Sequence, residues 1–167
     1  MSLSLLDALR LSGVLASGLN AGGLLAFNLV GVAALRRQDA MSPKAQLKWM
    51  SSAFHPGAVF YSTLIVASGS FLGAAAYFTP ATDRSTLLPL SRRRALALAA
   101  VCEAAIAIFT GQIMADPNTE IKRAADADRD LSESEAKMRI ERFAKQHAVR
   151  MVLGVAAFLL SAVELVR

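Results

Sequence analysis

The chain holds one cysteine, two histidines, one tryptophan and two tyrosines in 167 residues. The lone thiol, Cys102, excludes an intramolecular disulfide, a CxxC redox pair and a thiolate metal cage. Charge is equally scarce: 19% of residues are Asp, Glu, Lys or Arg, against roughly a quarter in soluble domains. The sequence has no GxGxxG, Walker, HExxH or GxSxG motif, which removes dinucleotide, P-loop, zincin and serine-hydrolase chemistry. Its most charged stretch, 122–145, has nearly balanced signs and a single aromatic, Phe143. Such a segment is a solvated helical hairpin or loop, and it excludes a nucleic-acid surface.

What remains is apolar. Hydrophobic residues make up 54% of the chain and the mean hydropathy is +0.43, with charges gathered between long uncharged runs. A single membrane domain over 1–167 follows. The net charge of +5 comes from Lys and Arg flanking those runs, where anionic lipid headgroups are the natural partner.

The pattern predicts an all-α fold, a four-helix transmembrane bundle running up-down-up-down. The first span, 11–35, is uncharged over 25 positions and would be about 37 Å long as a helix, enough to cross a bilayer. A cleaved signal peptide would have an apolar region of roughly 7–15 residues and a basic leader, whereas this leader carries both Asp7 and Arg10. The second span, 57–79, ends at Pro80. The third, 95–115, is interrupted by Glu103 and expected to stop at Asp116-Pro117. The fourth, 148–166, has Glu164 near its end.

Helical extensions precede spans two and four. Ser42-Pro43 reads as an N-cap with proline in the first turn, and Ser132 with Glu135 as a capping box. Trp49 would then lie at headgroup level, and Pro56 should bend its helix at the membrane boundary. The spacings Gly18-x-x-x-Gly22 and Gly69-x-x-x-Gly73 permit close helix contact and identify no partner; a homo-oligomer stays open.

Antiparallel threading sorts the polar residues by depth. Loops 36–52 and 116–146 share one side, with eleven Lys and Arg against six on the other, which leans toward the two-loop side being cytoplasmic. On that side fall Asn28, His55, Gln112, Asn118, Glu120, His147 and Arg150. In the last helix Ala136, Ile140, Phe143, His147, Met151, Gly154 and Phe158 recur at three- and four-residue steps, placing His147 on the inward stripe with Arg150 one turn on. The bland alternatives are an interfacial imidazole satisfied by a carbonyl, a snorkelling Arg150, and a His55 that caps carbonyls freed by Pro56. Deeper lies a second layer, Glu103, Asn20 and the pair Ser68/Ser70, at nearly equal depth. A carboxylate in hydrocarbon costs on the order of 2.5–3.5 kcal/mol, so Glu103 should face the bundle, and Asn20 is its expected partner.

Trp49 followed by Gly57, Thr110 followed by Pro117-Asn118, and Phe143-x-x-x-His147-x-x-Arg150 resemble the anthrone oxygenase-like membrane family of fungal polyketide pathways and its relatives. The resemblance covers most of the chain from Trp49 onward. Where that family usually has Trp before the histidine, this chain has Phe143. The resemblance implies oxidation of a polycyclic phenolic anthrone to a quinone by O2, without flavin or haem, in an endomembrane if the source is fungal. His147 would be the general base, Arg150 and Asn118 the stabilisers of developing anionic charge, and His55 a further catalytic candidate; Trp49, Phe143 and Thr110 would serve the substrate, and the two polar layers add Asn28, Asn20 and Glu103 as substrate candidates. A transition metal held by His55, His147 and Glu120 is a compatible variant. Two other readings stand beside it: a small proton-coupled transporter using Glu103, and a non-catalytic tetraspan assembly protein.

Overall fold

The computed structural model describes residues 4–37, 41–127 and 131–165; within these, the side chains of 54–56 lie outside the described set. Four long helices make up the described chain: α1 (Leu5–Arg36), α2 (Pro43–Phe78), α3 (Arg92–Asp126) and α4 (Glu133–Leu165). Among the described residues the only strand-like pairing is an isolated bridge between Arg84 and Ser91.

Each helix starts at a serine. Ser4, Ser42, Ser91 and Ser132 sit in extended conformation and accept from backbone N–H groups of the first turn, satisfying donors that the helix itself leaves open. At Ser132 the box is complete, since the Glu135 carboxylate returns to the Ser132 N–H at 3.3 Å. α2 ends where Pro80 forces Thr79 into extended backbone, φ −78° and ψ 127°.

The expected stop at Asp116-Pro117 does not occur, because α3 continues to Asp126. A π-helical stretch, Thr110–Met114, lies immediately before Pro117. A proline inside a helix lacks an N–H and crowds the carbonyl four residues back, and the widened turn accommodates both. A second π-helical stretch, Phe27–Val32, interrupts α1. The bend predicted at Pro56 falls on residues outside the described side chains.

α1 packs on α2 and α4, and α3 packs on the same two, so the helices form an antiparallel ring. Segments Leu5–Arg36, Gly57–Phe78, Arg92–Asp126 and Glu133–Leu165 are each long and apolar enough to cross a membrane. At 35 residues α3 extends about 52 Å, well beyond a hydrocarbon layer of ~30 Å. Its end therefore joins the starts of α2 and α4 in a helical cap with its own core of Leu47, Met50, Ile121, Ile140 and Phe143. The opposite end packs Leu72, Ala75, Leu96 and Ala99. Leu19, Val66, Val101 and Val152 stay 61–65% exposed around the ring, as side chains dissolved in lipid do.

Each small-residue spacing makes contact at its first glycine, where an added Cβ would lie 3.0 Å from Phe158 at Gly18 and 3.5 Å from Glu103 at Gly69, and not at its second. An added Cβ at Gly22 or Gly73 would meet nothing within 4 Å. The tightest approaches are at Gly13, where it would lie 2.8 Å from Leu72, and at Gly23, where it would strike Tyr61.

Candidate functional site

Where the spans meet the cap, all four helices enclose a cavity of about 290 Å³, near the lower bound of small-molecule pockets, ~300 Å³. α1 contributes Gly23, Leu24 and Phe27; α2 Ala53, Gly57, Ala58, Tyr61, Ser62, Ile65 and Val66; α3 Ala107, Thr110, Gly111 and Asn118; α4 Phe143, His147 and Arg150. Both π-helical stretches begin on this wall, at Phe27 and Thr110. Such stretches redirect side chains and recur at functional sites.

His147 is 4% exposed and held between aromatics. Phe143, one turn earlier on α4, stacks on the imidazole at 5.4 Å and 16°, and Phe27 meets it edge-on at 5.1 Å. The ring plane is therefore fixed by packing. Neither Nδ1 nor Nε2 makes a hydrogen bond of acceptable geometry among the described residues, although the Leu24 carbonyl approaches the ring. Arg150 Nε and Asn118 Oδ1 are likewise buried and unpartnered, and the Arg150 Nη1 contact with Met114 Sδ is long, 4.0 Å. Thr110 donates its hydroxyl to the Ile106 carbonyl at 2.7 Å, leaving it acceptor capacity only. Buried polar atoms are ordinarily satisfied, and four that are not belong to three residues lining this mostly apolar cavity.

The mouth is lateral. Ala58, Ser62 and Val66 of α2 and Ala107 and Gly111 of α3 line the cavity and are also exposed. They lie within the apolar spans, so the opening between α2 and α3 faces bilayer.

Several candidates lie elsewhere. Asn28 donates to Met151 Sδ at 3.3 Å. Trp49 stacks on the far side of Phe27 at 6.4 Å and is 40% exposed, so it supports the aromatic wall without lining the cavity. Glu120 is half exposed in its side chain, 3.4 Å from Arg142, and does not line the cavity; Gln112 is exposed too. Among the described residues no three His, Cys, Asp or Glu side chains converge, and the His55 side chain lies outside them. Glu103 and Asn20 meet in the separate deeper layer, both fully buried. There Ser17 Oγ donates to Oε1 at 2.7 Å and Asn20 Nδ2 to Oε2 at 3.0 Å. Ser68 is buried beside them, whereas Ser70 is exposed and takes no part.

Sequence reasoning missed Tyr61 and Phe27. The available signal for Tyr61 was a phenol four residues after Gly57 in an otherwise uncharged run, since a hydroxyl in hydrocarbon needs a partner. Nothing in the sequence of α1 marked Phe27.

Residues 49–160 match the family described as anthrone oxygenase. The chain belongs to the anthrone oxygenase family. The match spans every cavity residue of α2, α3 and α4, while Gly23, Leu24 and Phe27 of α1 precede it. The chain matches no curated protein and no solved structure. Family membership and the four apolar helices give an integral, multi-pass membrane protein of an oxygenase family.

Proposed function

We propose that this anthrone oxygenase family member oxidises a flat, phenolic, anthrone-like methylene compound to a quinone with O2 at the His147 cavity. The observation that carries the proposal is that His147, Arg150 and Asn118, each with buried polar atoms that lack a well-formed hydrogen bond among the described residues, line one mostly apolar cavity.

The chemistry follows from those groups. A ketone flanked by aromatic rings acidifies the opposite methylene, so one imidazole nitrogen of His147 takes a proton and leaves a delocalised enolate. The Arg150 guanidinium stabilises its oxygen in a low-dielectric site, with the Asn118 Nδ2 N–H groups as further donors and the Asn118 Oδ1 left to accept from a phenolic hydroxyl. The enolate is electron-rich and reduces O2, forming a C–O bond and a peroxide anion that recovers a proton from the imidazolium. Loss of the second C–H proton and of hydroxide from the peroxide gives the carbonyl and water. The substrate supplies all the electrons, so no flavin or haem enters this scheme; a transition metal at His147 is the variant that a metal assay and chelation would separate.

The lateral mouth suits such a substrate, because flat apolar molecules partition into bilayers and would arrive between α2 and α3 without crossing water. The Glu103 layer fits a packing role better than proton transport, since both carboxyl oxygens are engaged.

The test is anthrone-dependent O2 uptake by the purified chain in detergent. His147→Ala should lower turnover by on the order of 10²–10⁴, the usual contribution of a general base, with helix content unchanged. Undiminished turnover in a folded His147→Ala protein would overturn the assignment.

A further inference from the structure

At the opposite end of the bundle, the α2–α3 connection and the start of α3 form a second, open cavity of about 870 Å³. Arg84, Arg93 and Arg94 line it together with Thr82, Ser85 and Ser91. Its remaining lining includes the half-buried Leu88 and Leu90 and the exposed Ala97, so cationic and apolar groups share one wall.

The cradle is built by the backbone. The Arg92 N–H donates to the Asp83 carbonyl at 2.9 Å and the Ser85 N–H to the Leu90 carbonyl at 3.2 Å, which pairs Arg84 with Ser91. From below, Arg10 is 7% exposed, donates to Thr79 Oγ1 at 2.9 Å and lies 3.8 Å from Asp83. The nearby acids are thereby taken: Asp83 by Arg10, and Glu164 by Arg92 at 3.6 Å. No ion pair among the described residues engages Arg84, Arg93 or Arg94. Ser91 Oγ already caps the Arg94 N–H, so the guanidinium groups, not the helix end, supply the free donors.

The level is interfacial. Tyr77 and Phe78, at the end of the second apolar span, are 74% and 57% exposed and pack edge to face at 5.2 Å, as aromatic belt residues do at headgroup depth.

We propose that Arg84, Arg93 and Arg94 bind the phosphodiester headgroup of an anionic phospholipid, with its upper acyl segments on Leu88, Leu90 and Ala97. Three guanidinium groups without an ion pair match phosphate oxygens, and the adjoining apolar side chains favour a lipid over a soluble phosphate.

Native mass spectrometry of the detergent-released full chain, with equal phosphatidylglycerol and phosphatidylcholine, tests this. The expected result is a retained phosphatidylglycerol adduct. Each of Arg84→Gln, Arg93→Gln and Arg94→Gln should weaken it roughly fivefold, and the triple variant on the order of a hundredfold. Arg123→Gln/Lys137→Gln/Lys145→Gln on the cap should leave it unchanged. Equal retention of both lipids by the wild type, or equal loss in the cap variant, would overturn the proposal. Displacement of the lipid by millimolar inorganic phosphate would overturn it in favour of a soluble anion. The single variants and the wild-type competition keep the test decisive if the triple variant does not fold.

Discussion

Replacing Gly23 by alanine is expected to act through Tyr61 on the facing helix. A Cβ at Gly23 would overlap the Tyr61 ring and hydroxyl at separations that real Cβ atoms do not reach. The ring is stiff and has only two side-chain torsions, so relief requires either its rotation into the cavity or a shift of α1 from α2. Overpacking of this kind costs about 1–3 kcal/mol, which is about 5- to 150-fold in the folding equilibrium at 1.4 kcal/mol per decade. Tyr61→Ala removes the obstacle. Truncating a fully buried aromatic costs ~3–5 kcal/mol, and Tyr61 is half-buried, so about half of that is expected from this variant alone. In the double variant the collision is gone and the cost should equal that of Tyr61→Ala, a favourable coupling of about 1–3 kcal/mol. SDS-driven unfolding in mixed micelles, followed by fluorescence of the single tryptophan Trp49, measures all four corners of the cycle. Additive costs within ~0.5 kcal/mol would refute the contact. Turnover supplies a second readout, because a Tyr61 ring displaced into about 290 Å³ of cavity should raise KM in Gly23→Ala.

Arg150→Met, which keeps the stem and removes the charge, should reduce kcat for anthrone oxidation by on the order of 10²-fold with little change in stability, as loss of one anion-stabilising donor does; O2-electrode kinetics check it. Ser62→Trp, at the exposed mouth, should lower kcat/KM by roughly tenfold while leaving SDS unfolding within about 0.5 kcal/mol of wild type, and unaltered kcat/KM would argue against the lateral route. Glu103→Gln should cost less than ~1 kcal/mol, because the Asn20 amide, whose Oδ1 has no partner to lose, can turn over to accept from the new amide, whereas Glu103→Ala orphans Ser17 and Asn20 and should cost about 2–5 kcal/mol. Unfolding of both variants in micelles separates these values. Ser132→Ala removes the α4 capping box and should cost about 1 kcal/mol without affecting turnover.

Features that act over a few residues were legible in the sequence. Uncharged runs located the four apolar helices, and Ser42 and Ser132 marked where two of them begin, because capping and lipid transfer depend on neighbours along the chain. Antiparallel threading also sorted polar groups by depth, which set His147, Arg150 and Asn118 at one level and Glu103 with Asn20 at another. Local signals misled at Pro117: a proline ordinarily ends a helix, but here the π-helical turn before it lets α3 run on into the cap.

Azimuth was legible only in part: the α4 stripe Ala136, Ile140, Phe143, His147 and Gly154 is buried as its spacing predicts and Glu103 faces the bundle, but the other polar groups carried no such guide. Each residue turns a helix by about 100°, so groups at equal depth point in different directions until packing fixes the rotation of every helix. That is why Asn28 faces Met151, Trp49 backs Phe27 from outside the cavity, and Glu120 turns out toward Arg142. Tyr61 reaches the cavity only because Gly23, 38 positions earlier in the chain, has no side chain to block it. The sequence by itself determined a tetraspan helical protein whose scarce polar groups lie in layers. The tertiary structure alone decided which of them share a cavity, since that depends on how four stiff helices rotate to pack their side chains against one another.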